Sequence, residues 1–138
     1  MSDEDRGKIR NRKWAARLRD FSGLRFGKIT PTDIDGFLDF NNKVFIFIEA
    51  KYGNSLPPIG QRLALERLCD ACEKAGKLSL VIIASHKAPD DTDIDCASIP
   101  VAFIRLNRKW RKPHRNLSVR EAIEDFLGWS LGEKHETR

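Results

Sequence analysis

The residues of this chain best suited to chemistry are two carboxylates and one ammonium group, separated by a turn. Glu49-Ala50-Lys51 ends a run of apolar residues, and Asp35 precedes another apolar stretch on the far side of a turn at Asn41–Lys43. Side chains alternate between the two faces of a β-strand, so Glu49 and Lys51 share a face. Carboxylates that hold a divalent cation beside a lysine are the groups that a metal-dependent phosphodiester hydrolase needs.

The register of the expected hairpin decides whether these groups meet. With a three-residue loop at Asn41–Lys43, Asp35 lies opposite Glu49, and Asp33 lies opposite Lys51. Directly opposed residues share a face and have Cβ atoms about 4.5–5.5 Å apart. A two-residue loop would turn Asp35 to the other face. The predicted site therefore depends on the length of this loop.

Composition places the chain among ordinary globular proteins. It has 138 residues, of which 41% are hydrophobic and 33% charged, and this length predicts one domain. No apolar run approaches the ~20 residues of a membrane span, so we expect no membrane association. The first residues are acidic and lack the apolar segment of a signal peptide. We therefore expect a cytoplasmic protein with its three cysteines reduced.

Positive charge is concentrated in two segments. Arg6 to Arg19 and Cys96 to Arg120 each contain seven Lys or Arg and no acidic residue. Segregated basic segments favour a polyanionic partner, because neutralising phosphates releases counterions. Trp110 could stack on a base or pack across its own hairpin, and the sequence favours neither. The predicted nucleic-acid-binding residues are Arg10, Arg12, Lys13, Arg17, Arg108, Lys109, Trp110, Arg111 and Lys112.

The order of the predicted elements indicates an α/β fold with a central mixed β-sheet of four to five strands flanked by helices. A helix between the Glu49 strand and the next apolar strand makes these two strands parallel, whereas the hairpins are antiparallel. We expect residues 1–7 to be disordered, 8–128 to form a single domain and 129–138 to fray. The first predicted elements are a helix over Lys8–Phe21, a short strand over Arg25–Ile29, and strands over 36–40 and 44–51. A helix from 59 or 60 to Ala75 and a strand over Leu78–Ala84 follow. The last predicted elements are a hairpin of 100–106 with 110–112 around Asn107–Lys109, and a helix from the capping box of Ser118 and Glu121 to about Leu127.

These residues resemble the PD-(D/E)XK nuclease superfamily. Pro31-Thr32-Asp33-Ile34-Asp35 followed by Phe47-Ile48-Glu49-Ala50-Lys51 is similar to its signature. Leu56-x-x-x-x-Gln61 at a helix start, followed by Gly76 and an apolar strand, is similar to the VRR-NUC branch and to Holliday-junction-resolvase-like nucleases. The stretch from about 10 to 106 also resembles small nucleases encoded by bacteriophages.

The resemblance implies a restriction-endonuclease-like core of order αβββαβ and Mg²⁺- or Mn²⁺-dependent endonuclease activity on DNA. It implies that Asp35 and Glu49 are metal ligands, that Lys51 is the catalytic lysine and that Gln61 lies near the active site. The backbone carbonyl of Ala50 is a further candidate ligand. Which of Asp33 and Asp35 is the main ligand stays open, and the register favours Asp35.

The sequence departs from the family pattern at one point. Many relatives carry a Glu on the first helix, whereas this chain has no Glu between Glu4 and Glu49, and Asp20 is the only acidic residue near that helix. Asp20 is therefore an additional candidate ligand, and the number of metal ions stays open. Cleavage of both strands of a duplex would suit a homodimer. The alternative function is a non-catalytic nucleic-acid-binding module on a degenerate nuclease fold.

Overall fold

The structure is a computed structural model that describes residues 20–53 and 56–130, without the side chains of residues 129 and 130. The chain divides into two compact units, Met1–Thr32 and Asp33–Arg138. Most of the predicted first helix lies outside the described residues, and its predicted last residues, Asp20 and Phe21, are not helical.

The described part of the first unit is a short turn of 3₁₀-helix, Ser22–Leu24, followed by a tight reversal. The main chains of Phe26 and Ile29 form two hydrogen bonds across this reversal, and Gly27 inside it has a φ of 65°. The prediction of a strand over Arg25–Ile29 is therefore wrong. Glycine populates the left-handed region without the steric cost of a Cβ atom, and this allows the chain to turn back on itself here.

The second unit is built on one five-stranded mixed sheet with the strands in chain order. Neighbouring strands are antiparallel except β2 and β3, which are parallel and connected by a helix. This confirms the predicted α/β fold with a central mixed sheet flanked by helices. The strands are β1 (Gly36–Phe40), β2 (Val44–Tyr52), β3 (Leu78–His86), β4 (Val101–Leu106) and β5 (Lys109–Arg111), and the helices are α1 (Ile59–Lys74) and α2 (Val119–Ser130).

The first hairpin has the predicted register. Phe40 pairs with Val44 across a three-residue loop, and the pairing continues to Gly36 and Ile48. Asn41 and Asn42 both have positive φ, at 55° and 62°, a conformation that asparagine tolerates better than most residues. The turn chemistry of the two asparagines therefore fixes the face on which each side chain of β1 lies.

The two faces of the sheet are covered by different helices. Val44, Ile46 and Ile48 belong to a buried cluster with residues of α2, including Phe126. Phe47 belongs to a second cluster with Leu65 and Cys69 of α1. Both faces of β3 are buried, as its unbroken apolar sequence predicts. The alternation along β2 places Glu49 and Lys51 on the face covered by α1.

The second hairpin turns more tightly than predicted. Leu106 pairs with Lys109, so the turn has two residues, Asn107 and Arg108, with φ values of 53° and 66°. The expectation of a three-residue turn is wrong. Positive φ at both central positions is typical of type I′ turns, whose twist matches that of the flanking strands.

Some of the helix ends lie where the local sequence predicts them, and one does not. Gly76, at φ 88°, follows α1 as predicted. In the capping box before α2, Glu121 accepts from the N–H of Ser118 at 2.9 Å and donates its own N–H to the Ser118 hydroxyl at 3.1 Å. The predicted end of α2 before Gly128 is wrong, because the helix continues to Ser130. A glycine inside a helix costs only about 1 kcal/mol relative to alanine, and Gly128 is buried.

Candidate active site

The register of the first hairpin brings two carboxylates together at one end of the sheet. Asp35 comes directly before β1, next to Glu49 on β2. The N–H of Asp35 points to Oε2 of Glu49 at 3.4 Å, and the N–H of Ala50 donates to Oδ2 of Asp35 at 2.8 Å. Each carboxylate is thus held by a main-chain N–H of the neighbouring segment. The side chains cannot turn away from one another without breaking these hydrogen bonds.

Lys51 and Gln61 complete the cluster from β2 and α1. Nζ of Lys51 lies 3.5 Å from Oε1 of Glu49 and donates to Oε1 of Gln61 at 2.8 Å. Nε2 of Gln61 donates to the main-chain oxygen of Asp33 at 3.0 Å. Gln61 lies in the first turn of α1, so this helix connects the ammonium group of Lys51 to the segment that carries Asp35.

The electrostatics of the cluster centre on Glu49. This side chain is buried, with the residue 3% exposed. Burial, and next the negative charge of Asp35, raise the pKa of Glu49 to about 7, although Lys51 acts in the opposite direction. A buried carboxylate beside a second carboxylate is disfavoured unless additional positive charge is supplied. The site is therefore arranged so that a cation between the two carboxylates would be stabilising.

The donor set has the chemistry of a hard-cation site. Carboxylate oxygens are the ligands that Mg²⁺ prefers, and Mg²⁺ keeps several waters and takes few protein ligands. Asp35 and Glu49 fit this description. The described residues contain no group of three or more His, Cys, Asp or Glu side chains able to hold a metal. Ala50 is in place beside Asp35 and Glu49; its N–H is bonded to Asp35, and its carbonyl stays a predicted ligand.

Asp33 and Asp35 have different places in the structure. Asp35 reaches Glu49 through its own N–H, whereas Asp33 joins the cluster through its main-chain oxygen. The geometry thus favours Asp35 as the main carboxylate. Asp20 lies in the other unit, where its carboxylate accepts from the N–H and the hydroxyl of Ser22 at 3.1 and 2.7 Å. Those two hydrogen bonds lower the pKa of Asp20, and its role as a ligand stays a prediction.

The predicted nucleic-acid-binding residues other than Trp110 fall into two groups. Arg10, Arg12, Lys13 and Arg17 lie outside the described residues. Arg108, Lys109, Arg111 and Lys112 are all exposed at the tip of the hairpin of β4 and β5 or directly after it. These four exposed cations lie close together along the chain, and we call them the hairpin patch.

Trp110 packs across its own hairpin. Its indole N–H donates to Glu66 of α1, and its ring lies opposite Arg105, whose guanidinium carbon is 5.8 Å from the ring centroid. Arg105 is itself buried and is held by Asp70 at 2.9 Å. Of the two alternatives for Trp110, packing across its own hairpin is the one seen in the structure. Base stacking by Trp110 stays untested.

One neighbour of the cluster was not predicted from the sequence. The ring of Tyr52 lies against the ring of His86, at 5.7 Å between centroids and 85° between planes. Tyr52 directly follows Lys51, and its position after the E-x-K segment is the signal that could have identified it. Its partner could not be identified in this way, because only the parallel pairing of β2 with β3 brings His86 beside it.

No protein-family model matches the chain, and no curated protein or solved structure matches it either. Among the described residues, none of the helices has the length and apolar character needed to cross a membrane.

Proposed function

We propose that this protein is a metal-dependent deoxyribonuclease that hydrolyses phosphodiester bonds with Mg²⁺ or Mn²⁺. The observation that carries the proposal is the placement of Glu49 between Asp35 and Lys51, with Gln61 bonded to the lysine. A local sequence pattern can occur by chance in many strands. It is much less expected of a pattern without function that its residues meet at one point, from the segment before β1, from β2 and from α1.

Each side chain has a role that its position supports. Asp35 and Glu49 would hold the cation. When bound, this ion would polarise a phosphodiester oxygen and increase the acidity of a bound water. Lys51, with Nζ fixed by Gln61, would orient the attacking water or offset negative charge on the pentacovalent phosphorus. Asp33 and Ala50 are the additional candidate ligands of the same unit.

The proposed partner is DNA, and the proposed contact surface is the hairpin patch. Its exposed cations would bind phosphates and supply affinity that depends on salt and not on base sequence. Cleavage of both strands of a duplex would suit a homodimer, which has two sites.

The test is incubation of the protein with labelled single-stranded, duplex, nicked, flapped and junction DNA. We expect cutting in Mg²⁺ or Mn²⁺, binding with little cutting in Ca²⁺, and no cutting in EDTA. Ca²⁺ tolerates looser coordination than the near-octahedral geometry that Mg²⁺ demands. Glu49→Gln should be inactive, and Glu73→Gln, which changes a carboxylate of α1 outside the cluster, is the matched control. Equal cutting in EDTA would exclude the proposed mechanism.

A second candidate function is supported by the small number of carboxylates. The described residues supply a pair and no third acidic side chain at the cluster, as expected of a nuclease fold that has become a DNA-binding module. The same experiment separates the two functions. Binding to DNA without cutting in any metal would favour the binding module, and cutting that Glu49→Gln abolishes would favour the enzyme.

A further inference from the structure

Tyr52 is an exposed aromatic side chain next to the proposed catalytic lysine. It is the last residue of β2, and 68% of its surface is exposed. The ring contact with His86 is edge-to-face, and most of the Tyr52 residue is nevertheless open to solvent. A ring so exposed contributes little to the core. Its position one residue beyond Lys51 makes it available to whatever is bound at the cluster.

The two faces of β2 present different groups where the strand ends. Lys51 lies on the α1 face, and Tyr52 on the other face, because adjacent side chains alternate. His86, the neighbour of Tyr52, lines a cavity of about 570 Å³. Lys87, Asp93, Asp95 and the apolar side chain of Ile94 also line this cavity.

The phosphate and the base of one bound nucleotide would then lie on different sides of the end of β2. Its phosphate would lie on the side where Lys51 and a cation held by Asp35 and Glu49 would attract it, and its base would lie on the side that holds the exposed Tyr52 ring. Within an intact duplex both faces of a base are covered by its neighbours. A base must leave the helix to stack on a protein ring, and this costs least when the base is already unpaired.

We propose that Tyr52, braced by His86, stacks on an unpaired base beside the phosphate that is cleaved. The substrate class is then DNA with at least one unpaired nucleotide at the cleavage position, such as a single strand or a flap, and not intact duplex. This inference rests on the proposed nuclease function and names the substrate of the same site.

The test measures binding in Ca²⁺ to a labelled single strand and to the blunt duplex of the same sequence. Stacking of one base on an aromatic ring is worth about 1–3 kcal/mol, so Tyr52→Ala should weaken single-strand binding by about 5- to 150-fold. Duplex binding should be unchanged. Tyr52→Phe keeps the ring and should retain single-strand affinity. Ile59→Ala is the matched control, because Ile59 is 67% exposed and has no aromatic face.

A second measurement uses the wild-type protein alone. One nucleotide after another in the single strand is replaced by an abasic residue, and removal of the stacked base should cost the same factor as Tyr52→Ala. Equal weakening by Tyr52→Ala on single strand and duplex, or equal affinity for every abasic strand, would overturn the inference. In either case wild-type cleavage would leave the proposed function standing. If the wild-type protein neither bound nor cut any DNA, both proposals would fail.

Discussion

Lys51 donates a hydrogen bond to Gln61, with 2.8 Å between Nζ and Oε1. The two residues belong to different elements, and the contact fixes the end of a flexible side chain that carries a charge. Gln61 also donates to the main-chain oxygen of Asp33, so one amide group connects the lysine to the segment before β1. Positioning of this kind restricts the ammonium group to the vicinity of Glu49.

Gln61→Ala should lower the cleavage rate at saturating DNA by about 10- to 100-fold, the usual cost of removing a residue that orients an active-site group. The KM for DNA should change little, because the charge of Lys51 is kept. Single-turnover kinetics measure the rate. Lys74→Ala, at the other end of α1, is the control and should leave the rate unchanged. A large rise in KM with an unaltered rate would show that Gln61 binds DNA instead of orienting Lys51.

Loss of any one of the two carboxylates and the lysine should reduce cleavage about as much as loss of two of them. Asp35→Asn, Glu49→Gln and Lys51→Met should each abolish most cleavage, and pairs of these changes should reduce it little further, because the three side chains serve the same step. Activity in Mg²⁺ is the measurement, and far-UV circular dichroism confirms that each variant folds. Reductions that multiply in the double variants would mean that the residues act independently.

Glu49 should make the stability of the metal-free protein depend on pH. Its pKa is about 7 in the folded protein and 4.5 when unperturbed, so between these values the folded state holds a proton that the unfolded state has released. The contribution of Glu49 therefore favours folding at low pH, falls as the pH rises from about 4.5 to about 7, and is constant above that. The decrease is on the order of 3 kcal/mol.

The comparison of wild type with Glu49→Gln isolates this contribution. In EDTA, the Tm of the variant should rise relative to wild type as the pH increases from 5 to 8, although the variant is inactive. Saturating Ca²⁺ should raise the Tm of wild type at pH 8 and leave that of the variant nearly unchanged. A Tm difference that stays the same at every pH would contradict the assignment of the raised pKa.

The hairpin patch should determine affinity and not chemistry. Changing its four cations together to glutamine should weaken duplex binding and reduce the slope of log K against log salt by about 0.9 for each phosphate that the variant no longer neutralises. The rate at saturating DNA should change less. Arg67→Gln with Lys74→Gln, which neutralises exposed positions of α1, is the control. An unchanged slope would indicate that DNA contacts another surface. The next candidates would be Arg10, Arg12, Lys13 and Arg17.

The sequence by itself determined the features that depend on neighbouring residues. The loop with Asn41 and Asn42 sets the register of the first hairpin, and this register alone places Asp35 next to Glu49. The unbroken apolar run of β3 indicates a central strand, and Ser118 with Glu121 marks the start of α2. Turn conformation, strand alternation and capping act over a few residues, so they can be read in order along the chain.

Local sequence patterns did not predict the features that depend on packing and on strand twist. The break expected at Gly128 does not occur, because the helix is stabilised by its buried face and a single glycine costs little. The turn between β4 and β5 takes two residues, because a type I′ turn matches the twist of its strands. The side chain of Trp110 turns towards Glu66, a residue of α1 that no spacing in the sequence connects to it.

Only the tertiary structure decided the electrostatics of the candidate site. The E-x-K segment predicts that Glu49 and Lys51 share a face, but it does not predict that Glu49 is buried or that its pKa is raised. It also does not predict that Gln61 reaches Lys51, or that His86 lies beside Tyr52. These relationships join residues of different elements. They exist because α1 covers one face of the sheet and because β2 and β3 pair in parallel.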